Sequence, residues 1–411
     1  MQIYLVGGAV RDTLLNREVT ERDYVVVGAT PEQMLRKGFT QVGKDFPVFL
    51  HPSTKEEYAL ARTERKQGRG YTGFACDASP TITLEQDLLR RDLTVNAMAM
   101  DDEGNIIDPF NGQHDLQQRV LRHVSEAFTE DPLRVLRVAR FAARYHSLSF
   151  HVHTDTLDLM RRISQSNELT FLSAPRVWQE TAKALREAHP DVYFTTLKSV
   201  DALKHWFKEL DKLWGVPNPS KWHPEIDTGV HTMMVLQQAV SLSDDLPVRF
   251  AALVHDLGKA LTDTTQWPAH HGHDDLGLAA INQFCDRLGV PNQAHELGLL
   301  VSEHHCVVHR MLETSPENIL QVFDKADAWR RPERFLQLLL VCKCDFLGRK
   351  NFAQRPYPQF KAWQDLLAIL QSVDVKAIVR SGLKGSQIKD AVRKERLEMI
   401  KQFLASAHGL A

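Results

Sequence analysis

No stretch of this 411-residue chain is apolar over anything near the roughly 18 residues that a membrane-spanning helix needs, so no helical bilayer span is expected. Cysteine is scarce: Cys76, Cys285, Cys306, Cys342 and Cys344 form an odd, scattered set. Only Cys342 and Cys344 are close, and their spacing fits neither a zinc ribbon nor a redox pair. Reduced thiols in a cytoplasmic protein are expected. The first residues lack a basic stretch followed by an apolar core, and read as a strand rather than a signal peptide. Neither sign of charge is in excess. Fifty Lys and Arg stand against 52 Asp and Glu, which excludes a uniformly basic nucleic-acid coat but leaves room for a local basic patch. No internal repeat or low-complexity tract is seen. What is present is apolar content, 43%, enough for sizeable cores, and 19 histidines that cluster late. At about 100–200 residues per domain, two to four domains are expected.

Residues 1–110 mix strand and helix patterns. Strands are expected at 3–6, 24–27, 47–50, 57–62 and 106–108, and helices at 9–15 and 85–97. Residues 66–73, with three glycines and two basic residues, read as a mobile loop. Residues 111–220 read as helical, with helices at 131–145 and 176–186, and 216–220 reads as a Pro-rich linker. A second helical region, 221–350, holds the histidine cluster. The tail, 351–411, is helical with a basic patch around 384–396.

Several residues in the first half carry chemistry. Gly7-Gly8, after a strand and before a helix, lets the backbone approach an anion. Arg11 stands one turn in, where Asp12 can orient it. Glu21 and Asp23 alternate at a strand edge, so their carboxylates share a side and form a hard oxygen site for Mg²⁺. Such pairs serve phosphoryl and nucleotidyl transfer. Glu57, on another strand, is a candidate third carboxylate. Arg91, beside Arg90, is a forked phosphate donor. Asp92 and Asn96 could hold sugar hydroxyls. On the 131–145 helix, stepping about 100° per residue places Arg134, Arg137, Arg140 and Arg144 in roughly a third of the circumference. Such a stripe repels itself unless an anion or the acids of a neighbouring domain sit on it. Asp131 and Arg134 together present acceptor and donors, as a base edge does.

In the second half, His255-Asp256 follows an apolar run. Imidazole and carboxylate together suit Zn, Ni, Mn or Fe. His231 upstream and an aspartate downstream complete an H…HD…D pattern. Asp345 is favoured for the last position over Asp327. Lys259 could contact a scissile phosphate.

As an ordered set, Leu5-Val6-Gly7-Gly8-Ala9-Val10-Arg11-Asp12, Glu21/Asp23, Arg90-Arg91-Asp92 with Asn96-Ala97, and Glu130-Asp131-Pro132-Leu133-Arg134 with Arg137 resemble the motifs of class II tRNA nucleotidyltransferases. The bacterial CCA-adding branch with a C-terminal HD phosphohydrolase domain is most similar. The resemblance implies an α+β chain: a polymerase-beta-like head of mixed sheet and helices (1–110), an all-α neck and body (111–220), an all-α HD domain (221–350) and a tail. It implies untemplated addition of C, C and A to tRNA from CTP and ATP. In that frame Gly8 and Arg11 contact nucleotide phosphates, Glu21 and Asp23 hold Mg²⁺, and Arg91 binds the nucleotide. Asp131 and Arg134 read the base edge, Arg137 and Arg140 complete the pocket, and 66–73 is the loop that switches between C and A. Glu21 departs from the aspartate of many relatives.

The HD resemblance implies a site of His231, His255, Asp256 and Asp345 holding a divalent transition metal such as Ni²⁺ or Mn²⁺, with His270, His271, His273, His304 and His305 as extra histidines for phosphate or a second metal. It implies 2′,3′-cyclic phosphodiesterase, 2′-nucleotidase and phosphatase activities. A monomer or homodimer without membrane association is expected. Two other readings are a bacterial poly(A) polymerase, which shares most of the head motifs, and a tRNA-binding module with an inactive site.

Overall fold

The computed structural model describes residues 1–42, 47–66 and 74–408. The chain forms two compact units, Met1–Trp206 and Phe207–Ala411. The first opens with strands β1 (Gln2–Val6), β2 (Asp23–Val27), β3 (Thr40–Val42), β4 (Val48–Leu50) and β5 (Glu57–Leu60). Strands β6 (Thr63–Lys66) and β7 (Phe74–Asp77) make a separate antiparallel pair; β8 (Ala99–Met100) and β9 (Ile106–Ile107) return to the main sheet. Among the described residues that sheet has seven strands in the order β3-β4-β5-β2-β1-β8-β9. Only β2 and β5 run parallel, so the sheet is mixed, as expected. Alternation splits its core. Val25 packs with Val6, Leu88 and Ala99 on one face, and Val26 with Met34, Phe49 and Leu60 on the other.

One expected helix is corrected. The helix anticipated over 85–97 is a short helix, Leu84–Leu89, then a 3₁₀ turn, Thr94–Asn96, then β8. The helix starts on a Thr83/Gln86 capping box. Every residue from 92 to 99 is buried, which an amphipathic surface helix with one wet face cannot be. The loop anticipated at 66–73 lies outside the described residues, apart from the backbone of Lys66 at the end of β6.

The rest of the first unit is helical. The Leu133–Tyr145 helix begins after Pro132 and packs against the Ala174–Arg186 and Pro190–Ser199 helices. It is buried nearly all round: only Arg137 and Arg144 reach partial exposure.

The second unit is all-helical. Helices Thr228–Leu242, Leu246–Val254, His273–Leu288, Asn292–His309 and Pro332–Leu347 pack around a core that includes Val235, Leu300, Phe323, Phe335 and Trp363. The 216–220 segment, expected as a linker, belongs to this unit. Pro217 bridges to Asp227, and Asn218 is 2% exposed. Prolines there shape a half-buried turn. Gly258, just past His255-Asp256, is a close-approach glycine. A Cβ on it would meet the His273 carbonyl at 1.8 Å, so no larger residue lets the Leu257–Leu261 turn sit against the start of the next helix. That contact brings His273 to Asp256.

Candidate active sites

In the first unit a cleft of about 850 Å³ is lined by Gly8, Arg11, Glu21, Asp23, Arg91, Asp131, Arg134, Arg137 and Arg140 together. These come from the β1 turn, the edge of β2, the end of the Leu84–Leu89 helix and the Leu133–Tyr145 helix. Glu57 is not in the lining. It is the register partner of Asp23 across the parallel β2/β5 pair, and exposed. Gly7 has φ of 70°, and a Cβ there would stand 2.9 Å from Arg91 Nη1. The conformational demand of the Gly-Gly pair therefore falls on its first member, where it lets the arginine close over the turn.

The arginine stripe is neutralised by the protein's own acids, the second of the two arrangements left open above. Arg137 Nε donates to Asp92 at 2.8 Å and Arg140 Nε to Glu180 at 2.5 Å, while Arg144 Nη2 stands 3.4 Å from Asp12. Arg134 faces the carbonyls of Ala127 (2.6 Å) and Arg90 (2.5 Å), and Asp131 accepts from Arg176 at 2.8 Å. Arg11, 3% exposed, is held by Asp12 and Asn96 and lies over the rings of Phe141 and Tyr145. Asp92 and Asn96, expected to present free groups, bond each other at 3.0 Å. Burial alone would raise the Asp92 carboxyl. The charge of Arg137, with hydrogen bonds from Asn96 and Arg137, outweighs it and holds the group far below the ordinary range.

Glu21 and Asp23 differ from these acids. Among the described residues neither carboxylate takes a hydrogen bond or an ion-pair contact. Asp23 is raised by partial burial, opposed by Arg91 and reinforced by Glu21. Two unpaired, mutually repelling carboxylates at the wall of a basic cleft fit a hard divalent cation.

The second unit gathers His231, His255, Asp256 and Asp345, each 4% exposed or less. His231 Nε2 is 3.0 Å from Asp345 Oδ1 and 4.0 Å from Asp256 Oδ2. His255 Nε2 is 3.1 Å from Asp256 Oδ2 and 4.0 Å from Asp345 Oδ1. His255 Nδ1 donates to the Ala252 carbonyl at 2.8 Å, and His231 Nδ1 lies 2.9 Å from Glu225. His255 therefore turns Nε2 inward as a lone pair, and His231 turns Nε2 toward Asp345 Oδ1. Asp256 Oδ1 is buried without a hydrogen-bond partner, and His255 Nε2 meets only the ion-paired Asp256 Oδ2. Nitrogen and oxygen atoms converging in this way fit a borderline transition-metal cation. Lys259 Nζ sits 2.7 Å from Asp256 Oδ2 and donates to Asn218. Asp327 stands apart, ion-paired with Arg330 at the surface.

The extra histidines separate. His273 and His305 reach within 3.6 Å of Asp256 Oδ1. His270 is bound instead to Thr262 and the Pro217 carbonyl, His271 is exposed, and His304 faces Glu303. Sequence reasoning missed His309, whose Nε2 contacts Asp345 Oδ2 at 2.5 Å, and Glu225, which also contacts His223. His309 had a signal: it follows His305 by four on one helix, and that spacing shares a face, whereas adjacent His304 and His305 diverge. Glu225 had none. Cys306 was expected only as a reduced thiol. Its Sγ lies 3.5 Å from His305 and 3.8 Å from His273. Despite burial, those two imidazoles hold it well below the ordinary thiol range.

Three family models match the chain: the Poly A polymerase head domain over residues 3–122, the probable RNA and SrmB-binding site of polymerase A over 149–213, and the HD domain over 228–329. A multifunctional CCA protein of Pseudoalteromonas atlantica is 62% identical over 401 residues, covering 97% of this chain and 99% of that protein. Among solved structures, a CCA-adding enzyme in an apo form aligns at TM-score 0.65 and 20% identity, over 99% of this chain and 92% of that one. The Thermotoga maritima CCA-adding enzyme complexed with tRNA aligns at TM-score 0.60 and 19% identity, over 99% and 91%. These two likenesses extend the fold over nearly the whole chain.

Proposed function

We infer the function from one premise: this chain belongs to the family of multifunctional CCA proteins, class II CCA-adding nucleotidyltransferases that carry an HD domain. We propose that it adds C, C and A to the 3′ end of tRNA from CTP and ATP in the first unit, and hydrolyses phosphoesters in the second. The proposed organisation is a head over 1–110, a neck and body over 111–220, an HD domain over 221–350 and a tail over 351–411. The observation that carries the first activity is the unpaired Glu21/Asp23 pair facing an arginine-lined cleft.

Glu21 and Asp23 would hold Mg²⁺, which when bound neutralises charge on the triphosphate and favours the attacking hydroxyl's deprotonated form. Gly8, Arg11 and Arg91 would position the phosphates, with Arg11 acting chiefly as a brace because its donors already serve Asp12 and Asn96. Asp131 and Arg134 would read the base edge. Arg137 and Arg140, fixed by Asp92 and Glu180, would shape the pocket wall. A rigid polar wall rejects the wrong base because mismatched groups stay unpaired.

In the HD centre, His231, His255, Asp256 and Asp345 would hold a divalent transition metal such as Ni²⁺ or Mn²⁺, which when bound supplies a nucleophile near neutral pH. Lys259 orients Asp256 and places a positive charge where a phosphate would arrive. Its substrates would be 2′,3′-cyclic and terminal phosphates on tRNA ends. We also propose a cytoplasmic location, as a monomer or homodimer. No described helix is long and apolar enough to cross a membrane. Incubating the protein with trimmed tRNA, each nucleoside triphosphate and Mg²⁺, then sequencing the products, tests the first activity. The expected product is CCA; an A-only tail would favour a poly(A) polymerase, and no extension an inactive binding module.

A further inference from the structure

The HD centre takes Asp345 from the Pro332–Leu347 helix, and the two oxygens of that buried carboxylate face different surroundings. Oδ1 stands 3.0 Å from His231 Nε2 and 4.0 Å from His255 Nε2, so it belongs to the metal-demanding set. Oδ2 meets His309 Nε2 at 2.5 Å, while Arg349 Nη2, at 3.9 Å, stays beyond hydrogen-bond reach. His309 ends the Asn292–His309 helix, and its other ring nitrogen, Nδ1, lies 2.9 Å from the Tyr357 hydroxyl. Tyr357 is 8% exposed, stacks on Phe346 at 4.9 Å, and leads into the Pro358–Gln371 helix. That helix is fastened to the same place, because Trp363 Nε1 donates to the Val308 carbonyl at 3.0 Å. A side chain beyond residue 350 thus closes a line of contacts that ends on Asp345.

The protons give that line a direction. Burial lowers the His309 pKa against the pull of Asp345, so the ring is neutral and carries one N–H. A carboxylate only accepts, which puts the N–H at Nε2, donating to Asp345 Oδ2. Nδ1 is then a bare acceptor, and the Tyr357 hydroxyl donates to it. In the opposite tautomer Nε2 would turn a lone pair on the carboxylate, and Asp345 would be driven off its position.

We propose that Tyr357 and His309 are positioning residues of the HD centre: the Tyr357 hydroxyl fixes the His309 tautomer, and His309 clamps Asp345 with Oδ1 turned toward His231 and His255. The inference rests on the reading of Asp345 as the last ligand of that centre. Neither residue belongs to the H…HD…D pattern, and Tyr357 lies beyond the residues 228–329 that match the HD domain. The tail, expected as a separate segment, thereby supplies part of the centre. A carboxylate free at both oxygens can rotate, whereas one clamped at Oδ2 keeps Oδ1 in place; such outer partners govern about tenfold or more of metal affinity.

Ni²⁺ retention by the full-length protein, first freed of metal by a chelator, tests this. Equilibrium dialysis is run at one pH with Mg²⁺ in excess to occupy the Glu21/Asp23 pair. His309→Ala should raise the Ni²⁺ dissociation constant by about tenfold or more, and Tyr357→Phe, which removes only the hydroxyl, by about threefold or more. His309→Gln, whose amide N–H can reach Asp345 and has no tautomer to choose, should stay within about threefold of wild type. Adding Tyr357→Phe to His309→Gln should then change nothing further, a result that a merely structural tyrosine would not give. Circular dichroism checks that each variant is folded. Wild-type retention in Tyr357→Phe, or an equal loss on both backgrounds, would overturn the proposal; a loss in Asp345→Asn would still uphold the HD reading. Wild-type retention in Asp345→Asn would overturn that reading and the proposal with it.

Discussion

Replacing Arg137 with alanine tests whether the arginine stripe is held by the protein's own acids. Asp92 is 6% exposed and accepts Arg137 Nε at 2.8 Å; the Arg137 side chain itself is 36% exposed. Removing one partner of a fully buried pair costs about 3–5 kcal/mol, and an exposed pair contributes about 0–1. Partial screening of Arg137 places this pair between them, at about 2 kcal/mol. Asp92 also keeps its bonds to Asn96 and to the Leu93 amide. For a unit the size of Met1–Trp206, a loss of about 2 kcal/mol lowers the melting transition by roughly 4–8 °C. The pH dependence fixes the cause. Asp92 is depressed when folded, so its stabilisation is complete above the unfolded carboxylate value and fades as pH falls toward the folded one. The gap between wild type and variant should be full at neutral pH and narrow below about pH 4. Differential scanning fluorimetry across pH reads it. A gap that stays constant down to about pH 3, or is under about 1 °C at neutral pH, refutes the reasoning.

Other expectations follow from the same geometry. Asp345→Asn should lower HD-centre metal retention at least tenfold by equilibrium dialysis, while Asp327→Asn, removing only a surface pair, leaves it unchanged. Glu57→Gln should keep nucleotide incorporation within about threefold of wild type, because Glu57 lies outside the cleft; a collapse to the Asp23→Ala level would make it a third metal carboxylate. Arg134→Ala should blur the choice among CTP, ATP and UTP in single-nucleotide assays more than it lowers total incorporation. It should also cost about 1–3 kcal/mol of stability, since two carbonyls lose their donor.

Much of the site was legible in the residues because its chemistry is encoded locally. Glu21 stands two residues before Asp23, the first residue of β2, and His255 adjoins Asp256, so short spacing alone placed them. Asp345 over Asp327 was an open choice that long-range packing decides: His231 and Asp345 meet from helices far apart in sequence. The arginine stripe was visible, but its partners Asp92, Glu180 and Asp12 sit on other elements and no periodicity names them. The 85–97 helix failed because a segment buried on every side loses the wet face that periodicity depends on. The 216–220 segment failed for a related reason: Pro and Asn signal a turn, and nothing in their identity says whether the turn is exposed or, as with Asn218, buried under a lysine.

The central claim is that two metal-demanding centres, in separate units, carry separate chemistries. Assaying Asp23→Ala and His255→Ala side by side, for CCA incorporation into trimmed tRNA and for 2′,3′-cyclic phosphate hydrolysis, tests it most directly. The account predicts a crossover: Asp23→Ala loses incorporation and keeps hydrolysis, and His255→Ala does the reverse. Loss of both activities in either folded variant, or survival of incorporation in Asp23→Ala, would contradict it.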